Sequence, residues 1–534
     1  MAVTENQSDN TPGSKYIDSR CIVEFRPADD WQGQYGFDWF RRGEDSITDS
    51  SDYRTIVGKY IPEAPYNGAK SEFNRFAKLD DKGKGVESVN NDKADDCLDK
   101  LCKEYPIRTI KGVRNYFVPY ISLFYENPKV KKEEWGLSEA KVKLLIDISN
   151  VNLITYDNQI AYSSNIRRIV FKCEKGVGVC STSKAVVTEV GKNSYYIELD
   201  DMDTGRDGKK HCEAEVIIKI TSKKGDEVRD INVYAQTREE ADDGLQGSFA
   251  GKVKVVCKEP HYVKVRFINV KIKKDGAKTE RGLNNSELKQ KQKELCQLLS
   301  QALMLPVFQE NESLCFTETD FKGFRDKDKN NNDCLHRRGD DLIEMIIEEY
   351  KKSHSLNDEF KMFIVQEDGM SGGENLEYNT YSGEEIEMFF NGNISGLYKG
   401  EIDGVLDGVV VKGNFDDNVN GTFIGKIKGV LNGETRGIAY DKTEYYGISG
   451  HAYQSKYPLH EDYRNKSAII FRHDEKSTIA HELMHCLGLV HSFENNSKHT
   501  FKKEETNNIM DYSYNNYSLW RWQWKRLRGE DEKK

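Results

Sequence analysis

Between residues 140 and 275, apolar positions recur at every second residue in short runs, with Gly, Asp, Asn and Lys in the gaps. Alternate side chains of a strand share a face, so each run predicts a half-buried strand. The runs are Val142–Ile148, Ile166–Cys173, Ser194–Leu199, Ala214–Ile220, Ile231–Ala235, Val253–Cys257 and Val263–Ile272. Seven short strands with turn-like spacers predict an Ig-like β-sandwich, whose default role is structural or docking. Upstream, Cys21-Ile-Val-Glu-Phe-Arg-Pro27, the Gly- and aromatic-rich 31–40 and Tyr116–Tyr125 predict further strands, whereas 66–100 reads as loop.

Beyond residue 276 the period changes. Apolar residues at 288, 295, 299, 302 and 303 mark one helical face over Asn285–Leu305, stopped by Pro306. Asp340–Ser353 predicts a second helix and Phe360–Val365 a strand.

Residues 392–437 follow a third rhythm. Glycines fall at 392, 396, 400, 404, 408 and 413, then at 421, 425, 429, 433 and 437, with large apolar residues midway between most of them. Gly400–Gly408 (GEIDGVLDG) repeats in Gly425–Gly433 (GKIKGVLNG). One strand face would then alternate bulk with nothing, which lets another backbone approach closely. Asp-Gly and Asn-Gly pairs at 403–404, 407–408, 420–421 and 432–433 offer hairpin turns. The prediction is a Gly-rich β-meander or small solenoid inserted at about 371–448. A membrane-inserting hairpin is the weaker alternative, because the apolar face is half glycine and lacks the aromatic girdles of membrane strands.

The 534 residues are too many for one ordinary domain at about 150 residues each. Four regions are expected: a disordered 1–14, an N-terminal β-rich domain at 15–135, the sandwich at 136–275 and a C-terminal α+β domain at 276–534. A net charge of −10 argues against nucleic acid as a partner. The 11 cysteines are scattered without a C-x-x-C pair, which excludes a full disulfide framework and leaves at most bridges such as Cys97–Cys102 or Cys173–Cys180. No Sec-type leader and no apolar run of membrane-spanning length is present, so a membrane location is not expected.

The chemistry lies at 478–491, TIAHELMHCLGLVH. A helix starting near Thr478, capped by Ser477 or Asp474, puts His481 and His485 one turn apart on one face. That is the spacing two imidazoles need to grip one tetrahedral zinc. Glu482, beside the first ligand, is the candidate general base. Six more helical residues would carry His491 roughly 9 Å along the axis from His485. Gly488 must therefore end the helix so that the chain returns His491 to the metal. Neighbouring His451, His460, His473 and His499 read as ordinary surface or loop histidines.

His481 to His491 together with Met510 resembles the metzincin clan of zinc endopeptidases. The runs Gly488-Leu-Val-His491-Ser-Phe and Asn508-Ile-Met510-Asp-Tyr512 look most like its pappalysin-type branch. The gap from His491 to Met510 is shorter than in that branch, its cysteines are missing, and Ser492 is what matrixins carry. The resemblance implies an apolar methionine floor at Met510 and a switchable ligand or oxyanion donor at Tyr512. It implies Glu482-assisted attack of a zinc-bound water on a peptide bond of a protein substrate. That substrate would lie extended against an edge strand, with Gly450–Tyr453 or Gly437–Tyr440 as candidates. Ser518–Trp524 is expected to be a C-terminal helix packing its tryptophans on the lower subdomain. The alternative is a binding or structural protein whose protease domain is inactive or only self-processing. The segments Cys21–Pro27 and Tyr35–Trp39 are similar to N-terminal regions of Bacteroidota type VI effectors. They imply a cytoplasmic protein exported by a leaderless contractile route and a secretion-apparatus partner for the N-terminal β domains.

Overall fold

The computed structural model describes residues 21–43, 52–61, 72–74, 91–109, 115–125, 137–148, 154–156, 159–161, 166–199, 211–222, 227–273, 283–327, 332–338, 340–354, 358–452, 466–472, 477–513 and 516–530. The expected disorder of 1–14, together with Asp474, His460 and His473, lies outside these residues. The protein is mostly β, with several sheets. Its chain divides into two compact units: residues 1–262, 295–305 and 489–534 form one, residues 263–294 and 306–488 the other. Among the described residues no helix is long and apolar enough to cross a membrane. None of the 11 cysteines forms a disulfide. Cys97 and Cys102, a possible bridge by sequence, lie five residues apart on the helix Asn91–Cys102 and remain unbridged.

The main body of the first unit is two sheets around a shared core. A four-stranded antiparallel sheet runs in the order Ile22–Pro27, Glu139–Asp147, His211–Ile220, Val177–Cys180. A seven-stranded sheet runs Val187–Gly191, Ser194–Glu198, Ile166–Cys173, Glu227–Thr237, Ser248–Lys258, Tyr120–Phe124, Gly36–Asp38. Alternation does what it predicts: in Glu139–Asp147 the side chains of Ala140, Val142, Leu144 and Ile146 point inward and their neighbours outward. They meet Val23, Phe25, Phe171, Val233 and Val253 in one cluster.

The structure departs from the sequence pattern in three places. The boundary at 135/136 dissolves, because Ile22–Pro27 pairs with Glu139–Asp147 and Tyr120–Phe124 pairs with Ser248–Lys258. These early strands complete both sheets of the core. The seventh sandwich strand, His261–Lys273, instead joins the sheet of the second unit. Its consecutive buried residues Phe267, Ile268, Asn269 and Val270 suit a strand covered on both faces. Within the expected loop 66–100, the helix Asn91–Cys102 forms; Cys97, Leu98, Leu101 and Cys102 share an apolar stripe.

The second unit centres on the parallel strands His261–Lys273, Phe360–Val365 and Ser467–Ile470, with Gly450–Ala452 antiparallel at the sheet's edge. The helix Asp341–Lys351 buries Leu342, Ile343, Ile346, Ile347 and Tyr350 against Ile268, Val270, Phe363 and Ile469. The helix from Asn285 stops at Leu299, earlier than Pro306 suggested, and a short turn at Ser300–Ala302 ends on Leu303 with φ 54°.

Residues 369–448 form one long antiparallel hairpin, Gly369–Leu406 against Val409–Ile448. Only Asp407-Gly408 of the four Asx-Gly pairs is a turn, with φ 47° and 80° as a tight hairpin requires. The other three lie mid-strand, so the expected meander is absent. Instead the hairpin coils on itself: every residue from Phe389 to Leu406 pairs on both edges, as Tyr398 does with Leu431 and Asp417. Phe390, Ile394, Tyr398, Ile402, Phe423, Ile427 and Leu431 fill the coil. Glycine faces glycine across the second ladder. A Cβ on Gly396 would come 2.5 Å from the Gly433 Cα, and one on Gly400 would come 2.5 Å from the Gly429 Cα. Glycine therefore sets how tightly the passes approach.

Candidate metal centre

The motif helix spans Thr478–Cys486, and all nine of its residues are buried. Ser477 occupies the N-cap position but caps through no side-chain bond; its carbonyl accepts from the His481 N–H at 2.8 Å. The Nε2 atoms of His481 and His485 lie 3.0 Å apart, as the i, i+4 spacing dictates. The helix ends where Leu487 N–H donates to Leu483 O and Gly488 N–H to His485 O, each at 2.9 Å. Gly488 has φ 91°, a conformation that a Cβ would strain. The ligating atoms of His481, His485 and His491 all lie within 4.8 Å of one another.

The surroundings of His491 were not anticipated. Its Nδ1 meets Glu494 Oε1 at 2.5 Å. A carboxylate there fixes the proton on Nδ1 and leaves the Nε2 lone pair for a metal. The signal was a carboxylate three residues past the third histidine. Phe493 stacks on the His491 ring with centroids 4.9 Å apart, and the Tyr512 ring stands edge-on at 4.9 Å. Three buried imidazoles, one oriented by a carboxylate, suit a first-row transition metal better than a hard cation. Glu494→Gln is expected to weaken metal binding by about 10–100-fold, read by competition with a chelator.

Met510 is fully buried, and its carbonyl accepts from the Ser492 N–H at 2.8 Å, one residue past the third histidine. The turn around it is held by polar groups that the motif does not reveal. Asn508 Oδ1 accepts from the Met510 N–H at 2.9 Å and exchanges amide bonds with Gln523 at 2.8 and 3.0 Å. The buried Asp511 carboxylate accepts from the backbone N–H groups of Glu504, Thr506 and Tyr512.

This loop region takes its core from the start of the chain. Phe40, Tyr53, Ile56, Val57, Leu101 and Tyr105 pack with Phe501, Trp520 and Trp522. Lys59 Nζ donates to Asn495 O at 2.7 Å, and the Asn495 side chain exchanges bonds with the Tyr60 backbone at 2.8 Å. Trp520, Trp522 and Trp524 are buried; the helix itself is Arg521–Leu527.

Glu482 is buried beside the first ligand. Burial pushes its carboxyl up to about 8, against the pull of the Arg337 guanidinium and the Ala452 backbone N–H. Gly450 abuts it: a Cβ there would lie 2.7 Å from Glu482 Oε1. Of the two candidate edge strands, Gly450–Ala452 is outermost in its sheet among the described residues, and Tyr453 lies outside them. Gly437 instead pairs on both edges, with Glu377 and Gly392. His451 and His499 are not plain surface groups. The first meets Asp340 and Arg337, and the second is buried against Glu104 and Trp522.

No protein-family model matches the chain, and no curated protein matches its sequence.

Proposed function

We propose that the protein is a zinc-dependent endopeptidase of metzincin type, acting on protein substrates. The observation that carries the reading is the cluster of His481, His485 and His491, with the Glu482 carboxyl buried on the same helix as two of them. His481, His485 and His491 would hold zinc through three nitrogens and leave a coordination position open, the pattern of catalytic rather than structural sites. When bound, zinc would polarise the scissile carbonyl and acidify a water. Glu482 takes the proton of the attacking water and hands it to the leaving amine. Burial suits it to both tasks, since a carboxyl with raised affinity for protons is a better base. Glu494 keeps the His491 ring in its working tautomer. Tyr512, half-exposed beside His491, is the candidate donor to the developing oxyanion. An extended peptide would add to the outer edge of Gly450–Ala452 by strand pairing.

We further propose an Ig-like character for the part of the first unit in which two sheets pack around one core, and export of the protein as an effector.

Purified protein is expected to contain near-stoichiometric zinc and to cleave casein or a peptide library. Glu482→Ala is expected to keep the metal and to lose at least about 100-fold in kcat/KM. Protein without zinc would overturn the site. Zinc without cleavage across a broad library would favour the binding-protein alternative.

A further inference from the structure

Arg337 follows the strand Asp333–His336 and reaches three places in the second unit. Its backbone N–H donates to Met370 O at 2.9 Å, and its Nε donates to Ser371 Oγ. Both acceptors belong to the root of the long hairpin. Its Nη1 lies 3.2 Å from each ring nitrogen of His451, the middle residue of the edge strand. His451 Nε2 in turn meets Asp340 Oδ1 at 2.5 Å. An ionised carboxylate only accepts, so these partners assign the proton to Nε2 and leave Nδ1 to accept from the guanidinium.

The strand's two faces divide the labour. Successive side chains of a strand point oppositely. Gly450 lies against Glu482, while His451, the next residue, is held by Arg337 and Asp340. A strand of three residues at a sheet edge has few ladder bonds of its own. What fixes its outward face therefore sets where Gly450 stands against the Glu482 carboxyl.

We propose that Arg337 is a positioning residue: its guanidinium ties the root of the long hairpin to the edge strand Gly450–Ala452 and so holds that strand in place beside Glu482. A guanidinium can do this because its planar fork serves Ser371 and His451 at once; an ammonium has one point of charge and no fork. The catalytic consequence rests on the peptidase reading, whereas the tie itself does not.

The test compares full-length, metal-loaded wild type with Arg337→Gln, Arg337→Lys and Ser371→Ala. Metal content, amide hydrogen exchange and steady-state cleavage of one peptide substrate are measured. In both Arg337 variants, metal content is expected to stay at the wild-type level. Exchange at residues 450–452 is expected to rise about tenfold, while that of the helix Asp341–Lys351 stays unchanged. KM is expected to rise about tenfold with a smaller change in kcat, as for a lost substrate-docking edge. Ser371→Ala, which removes one arm, is expected to give a smaller change of the same kind. It decides the matter alone if both Arg337 variants fail to fold. Unchanged exchange at 450–452 overturns the proposal, as does an increase spread evenly over the whole unit. A wild type that cleaves no peptide overturns the peptidase reading, and the exchange measurement still decides the tie.

Discussion

A chain beginning at Val263 is expected to bind almost no metal, although it keeps every motif residue and the whole of the second unit. The loss falls on the loops after Gly488. Phe501, Trp520 and Trp522 are buried among Phe40, Tyr53, Ile56, Val57, Leu101 and Tyr105. At roughly 1.5–3 kcal/mol for each large apolar side chain, exposing those three loses on the order of 5–9 kcal/mol. A typical domain is stable by only about 5–15 kcal/mol. Polar support goes as well. Lys502 N–H donates to Ile56 O at 2.8 Å, Arg521 N–H to Asp38 Oδ2 at 2.9 Å and Arg41 Nη2 to Asn507 Oδ1 at 3.1 Å. His491 and Met510 would then lie on chain with no fixed fold. Metal analysis beside circular dichroism checks this, and a soluble, fully metallated fragment would show that the first 262 residues are dispensable to the site.

Asp326→Ala is expected to destabilise the second unit by about 3–5 kcal/mol. Asp326 Oδ2 accepts from Arg338 Nη2 at 2.8 Å, and both side chains have 0% exposure. Removing the carboxylate leaves a buried guanidinium with its main counter-charge gone, on a residue whose φ of 50° already departs from the usual regions. The same group sets a pH dependence. Burial alone would raise the Asp326 carboxyl, but the Arg338 guanidinium, helped by Lys426, more than offsets this and holds it well below the ordinary range. A carboxyl depressed in the folded state stabilises above its unfolded value, about 3.9, and loses that contribution as pH falls through the folded one. Thermal unfolding should therefore separate wild type from variant most between pH 5 and 8 and progressively less below pH 4. A constant difference down to pH 2 would contradict the assignment. Because Lys426 comes from the hairpin, at 3.1 Å from Asp326 Oδ1, proteolysis within 369–448 should also speed up in the variant.

Local pattern carried much of this. Strands such as Glu139–Asp147 and Phe360–Val365 were readable because their burial alternates or runs unbroken within the segment itself. His481, His485 and His491 were readable as a set because helix pitch and one glycine relate them over eleven residues. Contacts between distant parts of the chain were not. Nothing local to Phe40 or Tyr53 announces Trp520, and no spacing rule connects Arg337 to His451. Glu494 lies between: its distance from His491 is short, but only the hydrogen bond gives it a role. The hairpin misled for a related reason. Four Asx-Gly pairs are equal as turn formers, and which one turns is decided by the second ladder, whose partners are as distant as Phe389 and Tyr440.

The glycine-to-glycine facing carries a counting rule for the length of the coil. Gly392, Gly396, Gly400 and Gly404 meet Gly437, Gly433, Gly429 and Gly425 in strict succession. Four residues added to or removed from both arms together bring glycine opposite glycine again. A step of one or two sets an isoleucine, tyrosine or leucine where only a bare α-carbon fits. Related chains should therefore vary in hairpin length by multiples of four per arm. The reach of this element can then grow or shrink in fixed increments while its cross-section stays the same.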